Sequence, residues 1–186
     1  MLNKDKYRLV IIEKFSEKSV IFKEEYDEIN INNNDILETI QFLKDDPNLQ
    51  YDQLMDLTAV DYPSQEQRFE VVYILLSMTK NKRVIVKTAL KEEQNIKSIT
   101  SIHKSADWYE RECFDLFGIK FLNHPDLRRI MTDYNFEGHP LRKDFPLTGH
   151  TEVRYDDFEK KVVYEPVKLT QEYRNFDYMS PWEGLD

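Results

Sequence analysis

The stretch Ser105–Gly118, SADWYERECFDLFG, sets Glu110, Arg111 and Glu112 among Trp108, Tyr109, Phe114 and Phe117. Two carboxylates in apolar surroundings are what general acid–base catalysis or a metal ion would use. The geometry of the segment speaks against both. Ser105 is placed to cap a helix, Asp107 suits its first turn and Gly118 stands at its C′ position, so the spacing predicts a helix between them. At about 100° per residue, Ala106, Tyr109, Cys113, Leu116 and Phe117 share one arc, with Phe114 at its margin, and that arc faces the core. Glu110 and Glu112 project roughly 160° apart and cannot converge on one substrate or one metal. Asp107, Arg111 and Asp115 follow one another at i, i+4 spacing on the opposite side and read as an exposed ion-pair row without functional role. Glu110 falls inside the apolar arc, where a lone carboxylate is costly unless a donor meets it. Arg128 and Arg129, just downstream, are the nearest candidates, so a buried ion pair is expected.

Other constellations offer no chemistry either. His103, His124, His139 and His150 are scattered, and with the single Cys113 they fit no common zinc spacing; capping or surface roles are expected of them. There is no Gly-rich phosphate loop and no G-x-S-x-G elbow, and Cys113 on the inner helix face should behave as a small hydrophobe. DLRRI and HPLRKDFP hold adjacent basic residues, but Asp126 and Asp144 interrupt them, which favours a salt-bridged interface over a phosphate site. The net charge of −9 over 186 residues disfavours a nucleic-acid or anionic-membrane binder, since both need a basic footprint. The run VVYILL is far too short to cross a bilayer, and the first residues carry neither a signal core nor an Arg/Ser-rich presequence. The chain is therefore expected to be made where it works, or its transit peptide lies outside this sequence. One cysteine suits a reducing compartment.

The elements that must position the helix are legible upstream of it. NDILETIQFLKDDP reads as a helix capped at Asn34, with Ile36, Leu37, Ile40 and Leu43 on one face and Pro47 ending it. RFEVVYILLSM and KRVIVKTAL, rich in β-branched residues and joined across Thr79–Asn81, read as an antiparallel hairpin. YRLVII and SVIFKEEY suit strands or partly helical segments. Together these predict an α+β sandwich with one buried sheet face. The composition changes at Gly118, the first of four glycines, beyond which lie five of the seven prolines. From there turn formers dominate and no period is sustained, apart from a possible hairpin in EVRYDDFEKKVVYEP turning near Asp156–Glu159. A domain over residues 1–122 and an extended arm over 123–186 are expected. The aromatic-rich end, TQEYRNFDYMSPWEG, either lies on a partner's surface or wraps back over its own domain.

Taken in order, WYERECFDLFGI, NHPDLRRIMTDYNFEGHPLRKDFPL and SPWE, preceded by VDYP and RFEVVY, resemble the thirty-kilodalton subunit family, lettered C, of respiratory complex I, the proton-translocating NADH:ubiquinone oxidoreductase. The resemblance is close from about Val60 onward. It implies a two-layer α+β fold, with a mostly antiparallel sheet packed on helices and a long extended C-terminal arm. It also implies a non-catalytic subunit that braces the hydrophilic arm near the quinone-reducing module. FMN and iron–sulfur clusters would then belong to other subunits, with no catalytic, cofactor-binding or metal residue in this chain. In the family the extension runs over the large hydrogenase-like subunit, lettered D and of the forty-nine-kilodalton family. Glu110, Arg111, Glu112, Asp115 and Gly118 occupy the family's E-R-E and D-x-x-G positions. His124, Pro125, Asp126, Leu127 and Arg128 match H-P-x-L-R, and Arg142, Lys143, Asp144, Phe145 and Pro146 match R-K-D-[FY]-P. Trp182 lies in SPWE. The long C-terminal end points to the mitochondrial or proteobacterial branch, and the Asn, Lys and Ile richness suits a mitochondrially encoded chain on the matrix side of the inner membrane, or a bacterial chain on the cytoplasmic face. A free-standing module that recognises a soluble partner through its tail is the competing reading, which co-purification would separate.

Overall fold

A computed structural model describes residues 4–15 and 19–169, which fall into two compact units, Met1–Phe145 and Pro146–Asp186. In the first unit the chain runs through α1 (Lys4–Phe15), β1 (Val20–Phe22), β2 (Asp27–Ile31), a single 3-10 turn at Asn33–Asp35 and α2 (Ile36–Asp45). It continues through β3 (Gln53–Asp61), β4 (Phe69–Ser77), β5 (Lys82–Leu90), β6 (Ile96–Lys97), α3 (Ala106–Phe117) and β7 (Phe121–Leu122). Five strands form one sheet in the order β1-β2-β5-β4-β3. Every neighbouring pair is antiparallel except β2 with β5. The mostly antiparallel α+β class expected from the sequence is thus the one observed.

The buried sheet face follows from alternation. Phe69, Val71, Tyr73 and Leu75 of β4 point into the core beside Val84, Val86 and Leu90 of β5. In β3 the alternation breaks, because a bulge shifts the register between Leu54 and Asp56. Leu54 and Leu57, three residues apart, can therefore both be buried. The expected hairpin is present, with Asn81 in the left-handed region at φ 50° to close its turn. YRLVII, open between two structures on its sequence, is helical: Tyr7 and Ile11 sit one turn apart and are both buried, and the Tyr7 hydroxyl bonds that of Tyr51. In α2, Ile36, Ile40 and Leu43 are buried as expected, and the helix ends just before Pro47. Its start differs from the expected Asn34 cap: Asn34 lies in the 3-10 turn, and neither it nor Asp35 supplies a side-chain cap bond.

Helix α3 closes the exposed edge of β3. The Tyr109 hydroxyl donates to the Met55 carbonyl at 3.0 Å and the Cys113 thiol approaches that of Leu57 at 3.6 Å, so edge acceptors that could pair with another strand are occupied. Gly118 ends α3 in the left-handed conformation, φ 81°, with its N–H on the Phe114 carbonyl. Ser105 does not cap the other end as expected. Its own backbone is already helical and its side chain makes no cap bond.

Among the described residues of the second unit, β8 (Thr151–Asp156) pairs with β9 (Lys161–Pro166) in a hairpin that turns where the sequence placed it. Asp156 fixes the turn by accepting the N–H groups of Phe158 and Glu159 at 2.9 and 3.1 Å. The register puts Val153 opposite Tyr164 and Tyr155 opposite Val162, which gives the hairpin one apolar side, with all four residues more than half exposed.

The division between units falls after Phe145, not after Leu122 as the composition suggested. Residues 123–145 have little regular structure of their own, yet they are bonded to α3 at 124, over 128–132 and over 139–142, and to Asp61 of β3 at Lys143. Composition registers the absence of periodicity but not the anchoring.

Candidate functional site

Glu110 is fully buried, as its place in the apolar arc required. The donor that meets it is not an arginine. Its Oε1 accepts the Ile99 N–H at 2.7 Å, while Oε2 has no hydrogen-bond partner among the described residues. Arg128 pairs with Asp126 at 2.7 Å and Arg129 with Asp115 at 2.7 Å, so the expected Glu110–arginine ion pair does not form. The segment carrying both arginines crosses the flank of α3 that holds Arg111 and Asp115, whereas Glu110 faces the loop between β6 and the helix. Burial pushes the Glu110 carboxyl up to about 7; the Ser98 hydroxyl and the Ile99 amide oppose the shift and the Asp107 charge adds to it. Glu112, two residues on, is only half-buried.

The row expected to be exposed is instead the most heavily bonded part of the helix. Asp115 is fully buried and Arg111 nearly so. Asp115 accepts the backbone N–H groups of Ile130, Met131 and Thr132 at 2.9, 2.7 and 2.9 Å, and the Thr132 hydroxyl at 2.6 Å, besides its pair with Arg129. Arg111 donates to the carbonyls of Arg128 and Arg129 at 3.2 and 3.4 Å. An alternating acid–base row has the same spacing whether it meets water or another stretch of chain, and here it meets residues 128–132. Burial alone would raise the Asp115 carboxyl, but the Thr132 hydroxyl and the three amides outweigh it and hold it far below the usual carboxylate range.

Beyond Asp115 the chain returns to satisfy the end of α3. A helix leaves its last four carbonyls without intrahelical partners. Here the Phe114 carbonyl takes the Gly118 N–H at 2.9 Å, and that of Asp115 meets His139 Nδ1 at 2.8 Å. Leu116 takes the Leu141 N–H at 3.0 Å and Phe117 takes Arg142 Nε at 2.6 Å. A Cβ on Gly118 would come within 2.7 Å of His139 and 2.8 Å of Arg142, so this position needs glycine for closeness as well as for its positive φ.

A second knot joins sequence motifs that lie far apart. Asp61, at the end of β3, takes two bonds from Arg68 at 2.8 and 3.0 Å and the Lys143 N–H at 2.7 Å. Arg68 also pairs with Asp144 at 2.9 Å, and Glu92 bridges Arg68 and Arg142 at 3.1 and 3.0 Å. The Phe69 ring lies near both guanidiniums, at 5.3 Å from Arg68 and 5.1 Å from Arg142. The Arg68 bonds, against the opposing effect of burial, lower the Asp61 carboxyl. Phe145 packs against Phe136 with ring centres 5.8 Å apart.

Most of the motif residues thus lie along α3, from its first turn at Asp107 to its end at Phe117. Glu110, Arg111, Asp115, Gly118, His124, Asp126, Arg128, Arg142, Lys143, Asp144 and Phe145 all belong to this bonded region, and Leu127 packs against the core. Glu112 and Pro125 make none of these bonds, Pro146 begins the second unit, and Trp182 lies outside the described residues. Asp61, Arg68, Glu92, Thr132 and His139 were not singled out as site residues; VDYP and RFEVVY quoted two of them, but the Asp61 bond to Lys143 spans 82 residues. Of the histidines expected to be capping or surface groups, His139 caps the Asp115 carbonyl and His150 is exposed, whereas His103 is buried and the His124 ring is inaccessible. Among the described residues no cluster of three His, Cys, Asp or Glu side chains could hold a metal ion. Burial pushes the Cys113 thiol well up, which suits a packing residue rather than a nucleophile.

Residues 29–151 match the family model described as respiratory-chain NADH dehydrogenase, 30 Kd subunit. The chain belongs to that family. It is 60% identical over 151 residues to the subunit lettered C of the NADH-quinone oxidoreductase of Parvibaculum lavamentivorans, covering 81% of this chain and 76% of the relative. It is 55% identical over 158 residues to the corresponding subunit of Ruegeria pomeroyi, covering 85% and 79%. A chain in the structure of the membrane-bound sulfane sulfur reductase, an archaeal respiratory membrane complex, superposes with a TM-score of 0.64 at 24% identity, over 77% of this chain and 85% of that one. That likeness bears on the fold alone. Family membership makes this chain a subunit of an NADH-quinone oxidoreductase, and no helix among the described residues is long and apolar enough to cross a membrane.

Proposed function

We propose that the chain is a non-catalytic bracing subunit of the peripheral arm of the proton-translocating NADH:ubiquinone oxidoreductase, and that it supports electron transfer without taking part in it. The observation that carries this reading is where the motif side chains are spent. Asp61, Arg111, Asp115, Arg129 and Arg142 bond to one another's elements and to main-chain groups, which fixes the path of residues 123–145 along α3. Such bonding favours shape over chemistry. The chief partner in this reading is the large hydrogenase-like subunit, reached by the arm, whose hairpin turns one half-exposed side of Val153, Tyr155, Val162 and Tyr164 outward. A two-stranded hairpin is marginal in water by itself, so a covering partner suits it. FMN and the iron–sulfur clusters belong to other subunits in this reading.

The complex sits in the inner mitochondrial membrane with this subunit on the matrix side, as the Asn, Lys and Ile richness suggests, or in a bacterial inner membrane with the subunit on the cytoplasmic face, which the bacterial relatives favour. The test is removal of residues 152–186 followed by native gels of the detergent-extracted complex. Loss of this chain and of the large hydrogenase-like subunit from the assembled complex is expected. A fully assembled and active complex would reject the arm as the docking element.

A further inference from the structure

His124 follows β7, and its inaccessible ring faces two carboxylates of α3. Nδ1 accepts the Asp126 N–H at 3.0 Å, which fixes the proton of the neutral ring on Nε2. That nitrogen lies 3.1 Å from the Asp107 carbonyl, 3.1 Å from Asp107 Oδ1 and 3.9 Å from Glu110 Oε2. One N–H therefore faces three oxygens, and its hydrogen bond goes to the carbonyl. Asp107 Oδ1 and Glu110 Oε2 are both buried and have no hydrogen-bond partner among the described residues. The ring cannot supply a second donor while it stays in place, because Nδ1 is already occupied as an acceptor. The same tautomer bars Nε2 from acting as a metal ligand.

The surroundings add no cation to Glu110. From α3 it is neighboured by Asp107 and Cys113, from β4 by Tyr73, and from the loop between β6 and α3 by the Ser98 hydroxyl and the Ile99 amide. On the turn, Asp126 is taken up by Arg128, with Arg111 and His124 also facing its charge, and Arg128 feels Asp107 from farther off. With Glu110 neutral, the site holds one carboxylate charge beside a shared donor. With Glu110 ionised, two like charges face the one His124 N–H, which already bonds the Asp107 carbonyl, and the nearest relief for the buried Oε2 is water entering as the turn lifts.

We propose that Glu110, Asp107 and His124 form a protonation latch: the His124–Asp126 turn is seated on α3 while Glu110 carries its proton, and it lets go when that proton is lost to solvent. The latch lies at the start of the segment that closes the end of α3, so it regulates how firmly residues 123–128 are held. The position of the Glu110 carboxyl, about 7, puts the change near neutral pH. The turn closes on the acid side and loosens on the alkaline side.

The test is hydrogen exchange of the full chain, followed by mass spectrometry across neutral pH. Rates are normalised to those of an unfolded peptide, so that base catalysis of exchange is removed. Protection of the Asp126 amide is expected to fall as pH rises from the ordinary glutamate range toward about 7, the opening constant growing up to about tenfold per pH unit over that window and levelling off above it. Protection in β4 should stay constant. Glu110→Gln should keep the turn protected throughout, and Glu112→Gln should follow the unmodified chain. Constant protection in the unmodified chain, or an equal loss in Glu110→Gln, would overturn the latch. Should Glu110→Gln not fold, NMR of the unmodified chain decides: the Glu110 carboxyl carbon and the Asp126 amide should titrate together, and a carboxyl that titrates while the amide keeps its protection defeats the proposal.

Discussion

Glu110 and Asp115 are both fully buried carboxylates on one helix, and they respond to acid in opposite directions. Glu110 is raised, so its contribution to stability is fully present below the ordinary glutamate range and is lost as pH rises through about 7. Asp115 is depressed, so its contribution is present above the ordinary aspartate range and is lost as pH falls below it. Thermal melting across pH should therefore show a loss as pH rises from the ordinary glutamate range to about 7 that Glu110→Gln removes, and a separate loss as pH falls below the ordinary aspartate range that Asp115→Asn removes. An unchanged loss over that window in Glu110→Gln would mean that Glu110 is not the titrating group. Asp115→Ala leaves three amides and a guanidinium without their acceptor and should cost about 3 kcal/mol or more, read from urea unfolding. Gly118→Ala meets both a positive φ and two side chains within 3 Å, and should destabilise by roughly 2 kcal/mol in the same measurement.

At the scale of elements, the end of α3 separates bonds that hold structure from those that decorate the surface. Arg142 closes the Phe117 carbonyl and reaches Glu92, and its side chain is largely shielded. Arg128 pairs with Asp126 with more than half of each side chain exposed. Arg142→Ala should lower stability by about 1–3 kcal/mol, as expected for a buried acceptor left unmet, whereas Arg128→Ala should leave stability without measurable change. Equal effects of the two substitutions, measured by denaturant midpoint, would remove the distinction. Asp61 extends the same logic across the sheet, since one carboxylate ties the end of β3 to Arg68 and to the Lys143 backbone. The apolar residues of the hairpin β8–β9 stand more than half exposed.

For the whole molecule the division after Phe145 changes what truncation should do. Limited proteolysis of the isolated full chain is expected to cut first beyond Phe145 and to spare residues 123–145, whose backbone is bonded to α3 and β3. Early cleavage between Gly118 and Arg128 would contradict that anchoring. Replacing Tyr155 and Tyr164 together by serine should leave the melting temperature of the first unit within about 1 °C, because surface substitutions seldom exceed a few tenths of a kcal/mol. If the hairpin carries the arm's contact, the same variant should fail to co-purify with the large hydrogenase-like subunit. The isolated chain is expected to show no visible absorbance and no NADH oxidation; reproducible activity of the chain alone would reject the bracing role.

The sequence by itself determined the local elements of this protein. The period of α2, the β-branched hairpin β4–β5, the glycine at the end of α3 and the turn at Asp156 each depend on residues within one or two turns of chain, and such patterns survive in one dimension. Its motif order carried the family as well. Burial of Glu110 was also legible, because an apolar arc needs only the helix period. The identity of its partner was not: Ile99 precedes it by 11 residues, while the arginines suggested by proximity go elsewhere. The buried state of Arg111 and Asp115, the anchoring of residues 123–145 and the joining of Asp61 to Lys143 were decided only by the tertiary structure. Each depends on which stretch of chain returns to cover a polar row, and a row of alternating charges has the same spacing whether water or backbone lies against it.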